Sequence, residues 1–202
     1  MEERIAGYRI DAVRGEQLVE IQHGGLAAIR TKIARLLEKH DVLVVKPLVV
    51  RKQLVRLSKR GGKELARRLS PKQGSLLDLF HELVYFTRVF PHPRLTLHAP
   101  LIEVEERRHP GHGRRRRWRR DDHVVEDQRL VAVIGVHQFQ AAADLLSILP
   151  SDLAQPFHSG HVADALGIRR WVAQRIVYCL RKCGAAEACG KAGNTVLYQR
   201  AA

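Results

Sequence analysis

The sequence has few cysteines and no long apolar run, and each of these two shortages argues against a class of protein. Its three cysteines, an odd number clustered near the C-terminus, argue against a disulfide framework and favour a reducing compartment. No apolar run is long enough to span a bilayer, and the start lacks the apolar core of a signal peptide. We therefore expect a cytoplasmic protein with no membrane partner.

Acidic residues are scarce relative to basic ones. The chain has 35 Lys and Arg against 21 Asp and Glu, a net charge of +14 and a pI of about 10.4. Hydrophobic residues make up 45% of the 202, which is typical of a globular protein. The charge favours a polyanionic partner such as a nucleic acid, although an Arg-rich composition from a GC-rich genome would give the same excess.

The start of the chain carries the most informative pattern. Apolar and polar residues alternate on both sides of Arg14–Gln17, which predicts a β-hairpin that turns at Gly15 and Glu16. In that register Asp11 faces Glu20, and Gln22 shares the face of Glu20. Two carboxylates and an amide oxygen on one face form a hard-oxygen site suited to Mg²⁺ or Mn²⁺. The alternative is an exposed hairpin whose acids pair with Arg9 or Arg14.

The next elements are predicted from periodicity and from helix- and strand-breaking residues. Apolar residues at helical spacing predict a helix from Leu26 to about His40, and residues 42–50 predict a buried strand that Pro47 interrupts. Residues 53–57 suggest another short strand, and residues 59–72 an exposed basic loop. We expect a helix over 76–90, an extended segment over 95–105, a strand or helix from 124, and a short helix over 141–149.

The last fifty or so residues predict a helix, a turn, a second helix and a hairpin. Ser159 is the expected N-cap of a helix through Leu166, Gly167 ends it, and a second helix runs from about 169 to 182. A hairpin follows, turning at residues 191–194. This order is that of a winged helix.

The hairpin pattern, Asp11 with Glu20-Ile21-Gln22 before a helix and a strand, resembles the active-site hairpin of the PD-(D/E)XK nuclease-like superfamily. The stretch from Val19 to Gln22, the basic helix and the C-terminal module also resemble a group of uncharacterised bacterial proteins. The superfamily resemblance implies that Asp11 and Glu20 bind the metal and that the chain hydrolyses phosphodiester bonds. Gln22 occupies the position of a water-positioning lysine, and Lys32 on the next helix is a candidate for the missing ammonium.

Two other regions are candidate nucleic-acid contacts. On the second C-terminal helix and the hairpin tip these are Arg169, Arg170, Gln174, Arg175, Lys191 and Asn194. In the most basic stretch they are Arg114, Arg115, Arg116, Arg117 and Trp118, where tryptophan stacks on a base or else packs inward while the arginines pair with nearby acids. The alternative for the helix is a solvated surface in a winged-helix protein-interaction module, and the net charge of +14 favours DNA contact. Cys179 and Cys183 fit buried free thiols better than a zinc site.

Together these features predict an α+β or α/β chain with a small nuclease-like sheet-and-helix core followed by a C-terminal winged helix. We expect a nuclease-like domain over residues 1–75, a middle α+β segment over 76–145 and the winged helix over 146–202. The expected function is DNA binding with Mg²⁺-dependent endonuclease activity. The alternatives are a non-catalytic DNA-binding regulator on a degenerate nuclease scaffold and a protein or RNA interaction adaptor. The resemblance also leaves open a homodimer.

Overall fold

The structure is a computed structural model that describes residues 3–5, 7–111 and 122–201. It is a mixed α/β protein with a mixed sheet and a few helices, as the sequence predicts at that level. The chain forms two compact units, each built from separate stretches of sequence. The first unit contains residues 1–47, 77–99 and 137–202, and the second contains 48–76 and 100–136. The expected consecutive domains 1–75, 76–145 and 146–202 therefore differ from these units.

The first unit begins with two short hairpins. Strands β1 (Glu3–Ile5) and β2 (Tyr8–Ile10) pair with each other, and β3 (Ala12–Arg14) pairs with β4 (Gln17–Ile21). The β3–β4 register places Arg14 opposite Gln17 and Val13 opposite Leu18, as predicted. Gly15 has a φ of 60°, the left-handed conformation that the two-residue turn requires. The pairing ends at Ala12, so Asp11 lies just outside the strand.

Helix α1 (Arg30–Leu36), preceded by a 3₁₀ turn at Leu26–Ile29, connects β4 to β5 (Val42–Val45). The helix ends four residues earlier than expected. The apolar stripe predicted for it is buried and consists of Leu26, Ile29, Ile33, Leu36 and Leu37. Each such side chain stabilises the fold by roughly 1.5–3 kcal/mol when fully buried. Strand β5 lies parallel to β4 on one side and to β8 (Leu95–Pro110) on the other. The helix thus makes the crossover between two parallel strands.

The predicted helix over 76–90 forms as a 3₁₀ turn at Leu76–Asp78, helix α2 (Leu79–Leu83) and further turns. Of its expected core residues, Leu79, Phe80, Leu83 and Phe86 are fully buried, whereas Leu76 is only partly buried. Residues 137–139 of strand β9 (His123–Phe139) also belong to this unit. The short helix expected at 141–149 is a 3₁₀ helix, Ala142–Ile148.

The C-terminal part of the first unit has the predicted element order. Helix α3 (Ser159–Leu166) ends at Gly167, helix α4 (Arg170–Cys183) ends at Gly184, and strands β10 (Ala186–Ala192) and β11 (Thr195–Arg200) form a hairpin. Both glycines are left-handed, as expected at helix C-termini. The N-cap differs from the prediction, because His158 Nδ1, one residue before Ser159, accepts the hydrogen bonds from Gly160 and His161.

The second unit is a sheet of four strands among the described residues, ordered β9, β8, β6 (Leu48–Leu57) and β7 (Glu64–Leu69). Strand β6 is one continuous strand, parallel to β8, where two shorter pieces were expected. The basic loop expected at 59–72 is wrong in part, since β7 pairs antiparallel with β6. All six β7 residues are exposed at the edge of the sheet, so the strand has no apolar alternation for sequence analysis to detect.

Strand β9 is the opposite edge of this sheet. It pairs only with β8 among the described strands, and a run of its apolar side chains is exposed: Leu130, Val131, Val133, Ile134 and Val136, each more than half exposed. An exposed apolar edge strand is a surface on which other chains can pair. The described part of the chain contains no helix that is both long and apolar enough to cross a membrane.

Candidate functional site

Asp11 is held against the strand that carries Glu20. Its Oδ2 accepts a hydrogen bond from the backbone N–H of Ile21, with 2.7 Å between the heavy atoms. Asp11 lies in a bend between β2 and β3, which frees its side chain to reach across the end of the hairpin. The two carboxylate residues are therefore brought together across the hairpin, although the link is made through the backbone beside Glu20.

Glu20 is one of the few buried charged residues among those described, with 6% of its surface exposed. It lies opposite Val44 of β5, so it occupies the interior of a parallel ladder. Lys32 of α1 donates a hydrogen bond from Nζ to Glu20 Oε2 at 2.5 Å and a second one to the carbonyl of Arg9. The burial of a carboxylate is costly unless an opposite charge and hydrogen bonds compensate it. Lys32 supplies both.

The side chain of Gln22 makes a local hydrogen bond, and its backbone continues the pairing with β5. Its Nε2 donates to the carbonyl of Gly25 at 3.0 Å, and its backbone N–H donates to the carbonyl of Val45 at 2.8 Å. These bonds close the loop between β4 and the helix that follows. Of the four predicted residues, the structure pairs Glu20 with Lys32, places the carboxylate of Asp11 on the backbone N–H of the next residue, Ile21, and bonds the side chain of Gln22 within the loop.

Two residues that sequence reasoning missed support this loop. Lys46 is 5% exposed, and its Nζ donates to the carbonyls of His23 at 3.0 Å and Gly24 at 2.7 Å. Burial lowers the pKa of Lys46, and the charge of Glu82 partly opposes that shift. Glu82 in turn accepts a hydrogen bond from the backbone N–H of Leu26 at 2.9 Å. The sequence signal for the role of Lys46 was its position at the end of an apolar strand, directly before Pro47.

The donor set is small for a metal centre. Across residues 3–5, 7–111 and 122–201, no group of three or more His, Cys, Asp and Glu side chains is placed to hold an ion. Asp11 and Glu20 offer carboxylate oxygens, which Mg²⁺ and Mn²⁺ prefer. Mg²⁺ commonly uses one or two carboxylates and completes its shell with water and substrate phosphate, so two carboxylates are compatible with this ion. Lys32 already neutralises Glu20 and would have to share that carboxylate with the ion.

On helix α4 the predicted DNA-contacting residues divide into two groups. Arg169, Arg170 and Gln174 are exposed, and no described residue hydrogen-bonds to their side chains. Arg175 instead contacts His81 of the α2 helix through Nη1 and lies 5.0 Å from the centre of the Trp171 ring. Trp171 stacks on His81 at 5.4 Å. Arg175 therefore takes part in the packing of α4 against α2.

The hairpin after α4 places the other predicted contacts at its tip. Ala192 pairs with Thr195, so Gly193 and Asn194 form the turn, and Lys191 lies just before it. Lys191 and Asn194 are both exposed. A groove of about 320 Å³ separates α4 from β11 and is lined by residues that include Gln174, Tyr178 and Arg181. The residues Arg114 to Arg117 and Trp118 lie outside the described residues.

The comparisons with known proteins identify a family. The family model described as Domain of unknown function (DUF8091) matches residues 1–140, and the chain belongs to this family. An uncharacterized protein of Treponema pallidum (strain Nichols) is 30% identical over 189 residues, which cover 91% of this chain and 71% of that protein. No solved structure matches the chain.

Proposed function

We propose that the protein binds DNA and that its first unit hydrolyses phosphodiester bonds with Mg²⁺ or Mn²⁺. The observation that supports this most strongly is that Asp11 reaches the strand that carries Glu20, where its Oδ2 accepts a hydrogen bond from the N–H of Ile21 at 2.7 Å. In metal-assisted phosphodiester hydrolysis carboxylates can hold the ion, and an ammonium can stabilise the negative charge that develops on the phosphate. The second supporting observation is that Lys32 of α1 is bonded to Glu20 of β4, the residue before Ile21.

Each of these residues has a defined role in the proposal. Asp11 and Glu20 would hold the ion, which supplies a Lewis acid and a water of lowered pKa when it is bound. Lys32 would exchange part of its contact with Glu20 for the scissile phosphate and stabilise the negative charge that develops there. Gln22, which binds Gly25, would shape the loop beside the site and not orient the attacking water.

The C-terminal elements support DNA binding as a winged helix. Helix α3, the turn at Gly167, helix α4 and the β10–β11 hairpin have that order, and Phe157 forms an isolated bridge to Tyr198 of β11 that extends the hairpin. In the proposal Arg170 and Gln174 enter the major groove, where arginine pairs with guanine and glutamine with adenine. Lys191 and Asn194 would contact the backbone from the hairpin tip.

A second candidate is a non-catalytic DNA-binding regulator on the same scaffold. The burial of Glu20 and its pairing with Lys32 favour this candidate, because the carboxylate is stable without an ion. Both candidates predict DNA binding, and they differ only in whether the Asp11–Glu20–Lys32 group cleaves.

A cleavage assay separates the two candidates. Supercoiled plasmid and a labelled single strand are incubated with the wild type, Glu20→Gln and Lys32→Met in the presence of Mg²⁺ or Mn²⁺. Glu16→Gln and Lys39→Met are matched controls, since both residues are exposed and lie close in sequence to the residues they control for. Hydrolysis by the wild type and both controls, but not by the site variants, supports the nuclease. Binding without hydrolysis by any of the proteins supports the regulator.

A further inference from the structure

The second unit has a pocket of about 430 Å³ on its four-stranded sheet. Three arginines line it, Arg56 from β6, Arg68 from β7 and Arg108 from β8, together with His109 and His123. Leu54, Ala66 and Pro110 add apolar surface. The volume lies within the range of roughly 300–1,000 Å³ found for small-molecule sites.

The strand register places the three guanidinium groups on one face of the sheet. Arg56 lies directly opposite Arg108 in the parallel β6–β8 pair, and Leu54, two residues before Arg56, lies opposite Arg68 of β7. Residues opposite each other, and those two apart on one strand, share a face. Like charges directly opposite each other in a sheet are destabilising, so this arrangement costs stability unless an anion lies between them.

On this face Glu106, opposite Leu54, compensates the charge of Arg108, and the acidic residues of the second unit leave the charges of Arg56 and Arg68 uncompensated among the described residues. Glu106 accepts hydrogen bonds from Lys52 at 2.6 Å and from Arg108 Nε at 2.5 Å, so its single charge is shared between two cations. Glu103 pairs with Arg51, and Glu105 pairs with Arg67 and Arg107. The side chains of Arg56 and Arg68 have no hydrogen bond or ion pair with a described residue. Asp122 is the sole carboxylate among the described lining residues.

We propose that this pocket binds a phosphate ester. A guanidinium group presents paired N–H donors that match two phosphate oxygens, which makes arginine well suited to this anion. The apolar part of the lining would receive the sugar or base attached to the phosphate. A free nucleotide and a nucleic-acid strand both carry this chemistry. The proposal goes beyond the proposed function, since it depends neither on hydrolysis at Glu20 nor on helix α4.

The test compares a pocket variant with a control of equal charge. The pocket variant is Arg56→Gln with Arg68→Gln, and the control is Arg51→Gln with Arg129→Gln. The control residues lie in the same unit but pair with Glu103 at 3.5 Å and Asp127 at 2.8 Å. Binding of pyrophosphate, of deoxythymidine monophosphate and of a labelled single-stranded oligonucleotide is measured by calorimetry and fluorescence anisotropy over a range of salt concentrations.

We expect the pocket variant to lose about tenfold or more in affinity for at least one of these probes, while the control stays within about twofold of the wild type. A loss for the oligonucleotide, with a salt slope smaller by about 1.4 for two lost contacts, identifies a strand as the ligand. A loss for the monophosphate with unchanged oligonucleotide binding identifies a free nucleotide.

A third variant tests whether the paired donors of arginine contribute to binding beyond its charge. Arg56→Lys with Arg68→Lys keeps the charge but loses the paired donors, and we expect affinity between those of the wild type and the glutamine variant. Equal affinities of the pocket variant and the control for every probe would overturn the proposal, as would an absence of binding by the wild type. A pocket variant that has a lower melting temperature than the control and still binds every probe like the wild type would count against it as well.

Discussion

Lys32 of helix α1 and Glu20 of strand β4 form an ion pair in which both side chains are largely buried, with 17% and 9% of their surfaces exposed. The pair ties the helix to the centre of the parallel ladder. Lys32 lies next to Ile33 in the sequence, at the margin of the apolar stripe that packs α1 on the sheet. The same packing that stabilises the fold therefore delivers an ammonium group to the carboxylate of the candidate site.

Removal of Lys32 tests whether this pair is coupled. In Lys32→Met the buried Glu20 loses its counter-charge, and we expect a decrease of about 2–4 kcal/mol in the free energy of unfolding. The double variant Glu20→Gln with Lys32→Met should recover part of that loss, because no unpaired buried charge remains. Urea denaturation measures both, with Lys39→Met expected within about 0.5 kcal/mol of the wild type. Strictly additive effects of the two substitutions would show that the pair is uncoupled.

The lowered pKa of Glu106 predicts that the second unit loses stability at acid pH. Burial opposes its ionisation, but hydrogen bonds from Lys52, Gln128 and Arg108 outweigh burial and lower its pKa from 4.5 to about 2. The stabilisation by the ionised group is fully present above about pH 4.5 and is lost as the pH falls toward 2. It amounts to roughly 3 kcal/mol over that window.

Urea denaturation between neutral and acid pH provides the measurement. Glu106→Gln should be less stable than the wild type at neutral pH and should lose less of its stability as the pH falls. Glu103→Gln is the matched control, since among the described residues Glu103 forms an ion pair with Arg51 alone, at 3.5 Å. An identical pH dependence of the wild type and Glu106→Gln would contradict the prediction.

The cysteines predict selective thiol modification. Cys179 and Cys183 are buried and free, as expected from the sequence, whereas Cys189 is exposed. Burial raises the pKa of both buried thiols to about 12, with Cys183 adding to the shift of Cys179. A thiol reagent at mildly alkaline pH should therefore modify Cys189 alone in the folded protein, and all the cysteines after denaturation. Fast modification in folded Cys189→Ser, detected by mass spectrometry, would contradict this.

Helix α4 predicts different outcomes for neighbouring polar residues. Arg170→Ala and Gln174→Ala should each weaken binding to a preferred duplex by about tenfold, since both side chains are exposed where the proposal places the major groove. Arg175→Ala should mainly lower the melting temperature, because Arg175 contacts His81 and Trp171. Anisotropy titrations and thermal denaturation distinguish these effects. Unchanged affinity in both Arg170→Ala and Gln174→Ala would rule out this recognition surface.

Local patterns in the sequence predict much of the fold. The alternation around Gly15, the apolar stripe of α1 and the glycines after α3 and α4 are short-range signals, and the structure confirms the elements they predict. Strand β7 was missed because an exposed edge strand has no buried alternation. The roles of Lys46 and Glu82 were missed because their contacts join residues far apart in the sequence. The sequence did indicate that Lys32 lies near Glu20, because Lys32 was the candidate for the ammonium missing from the hairpin.

The most direct test of the nuclease proposal is the metal dependence of DNA cleavage by the purified protein. We expect supercoiled plasmid to be converted to nicked or linear forms when Mg²⁺ or Mn²⁺ is present and to stay intact with EDTA. Asp11→Asn and Glu20→Gln should bind the plasmid with the affinity of the wild type and leave it intact. Cleavage that persists in folded Asp11→Asn and Glu20→Gln, or an intact plasmid with bound wild-type protein and either ion, would contradict the account.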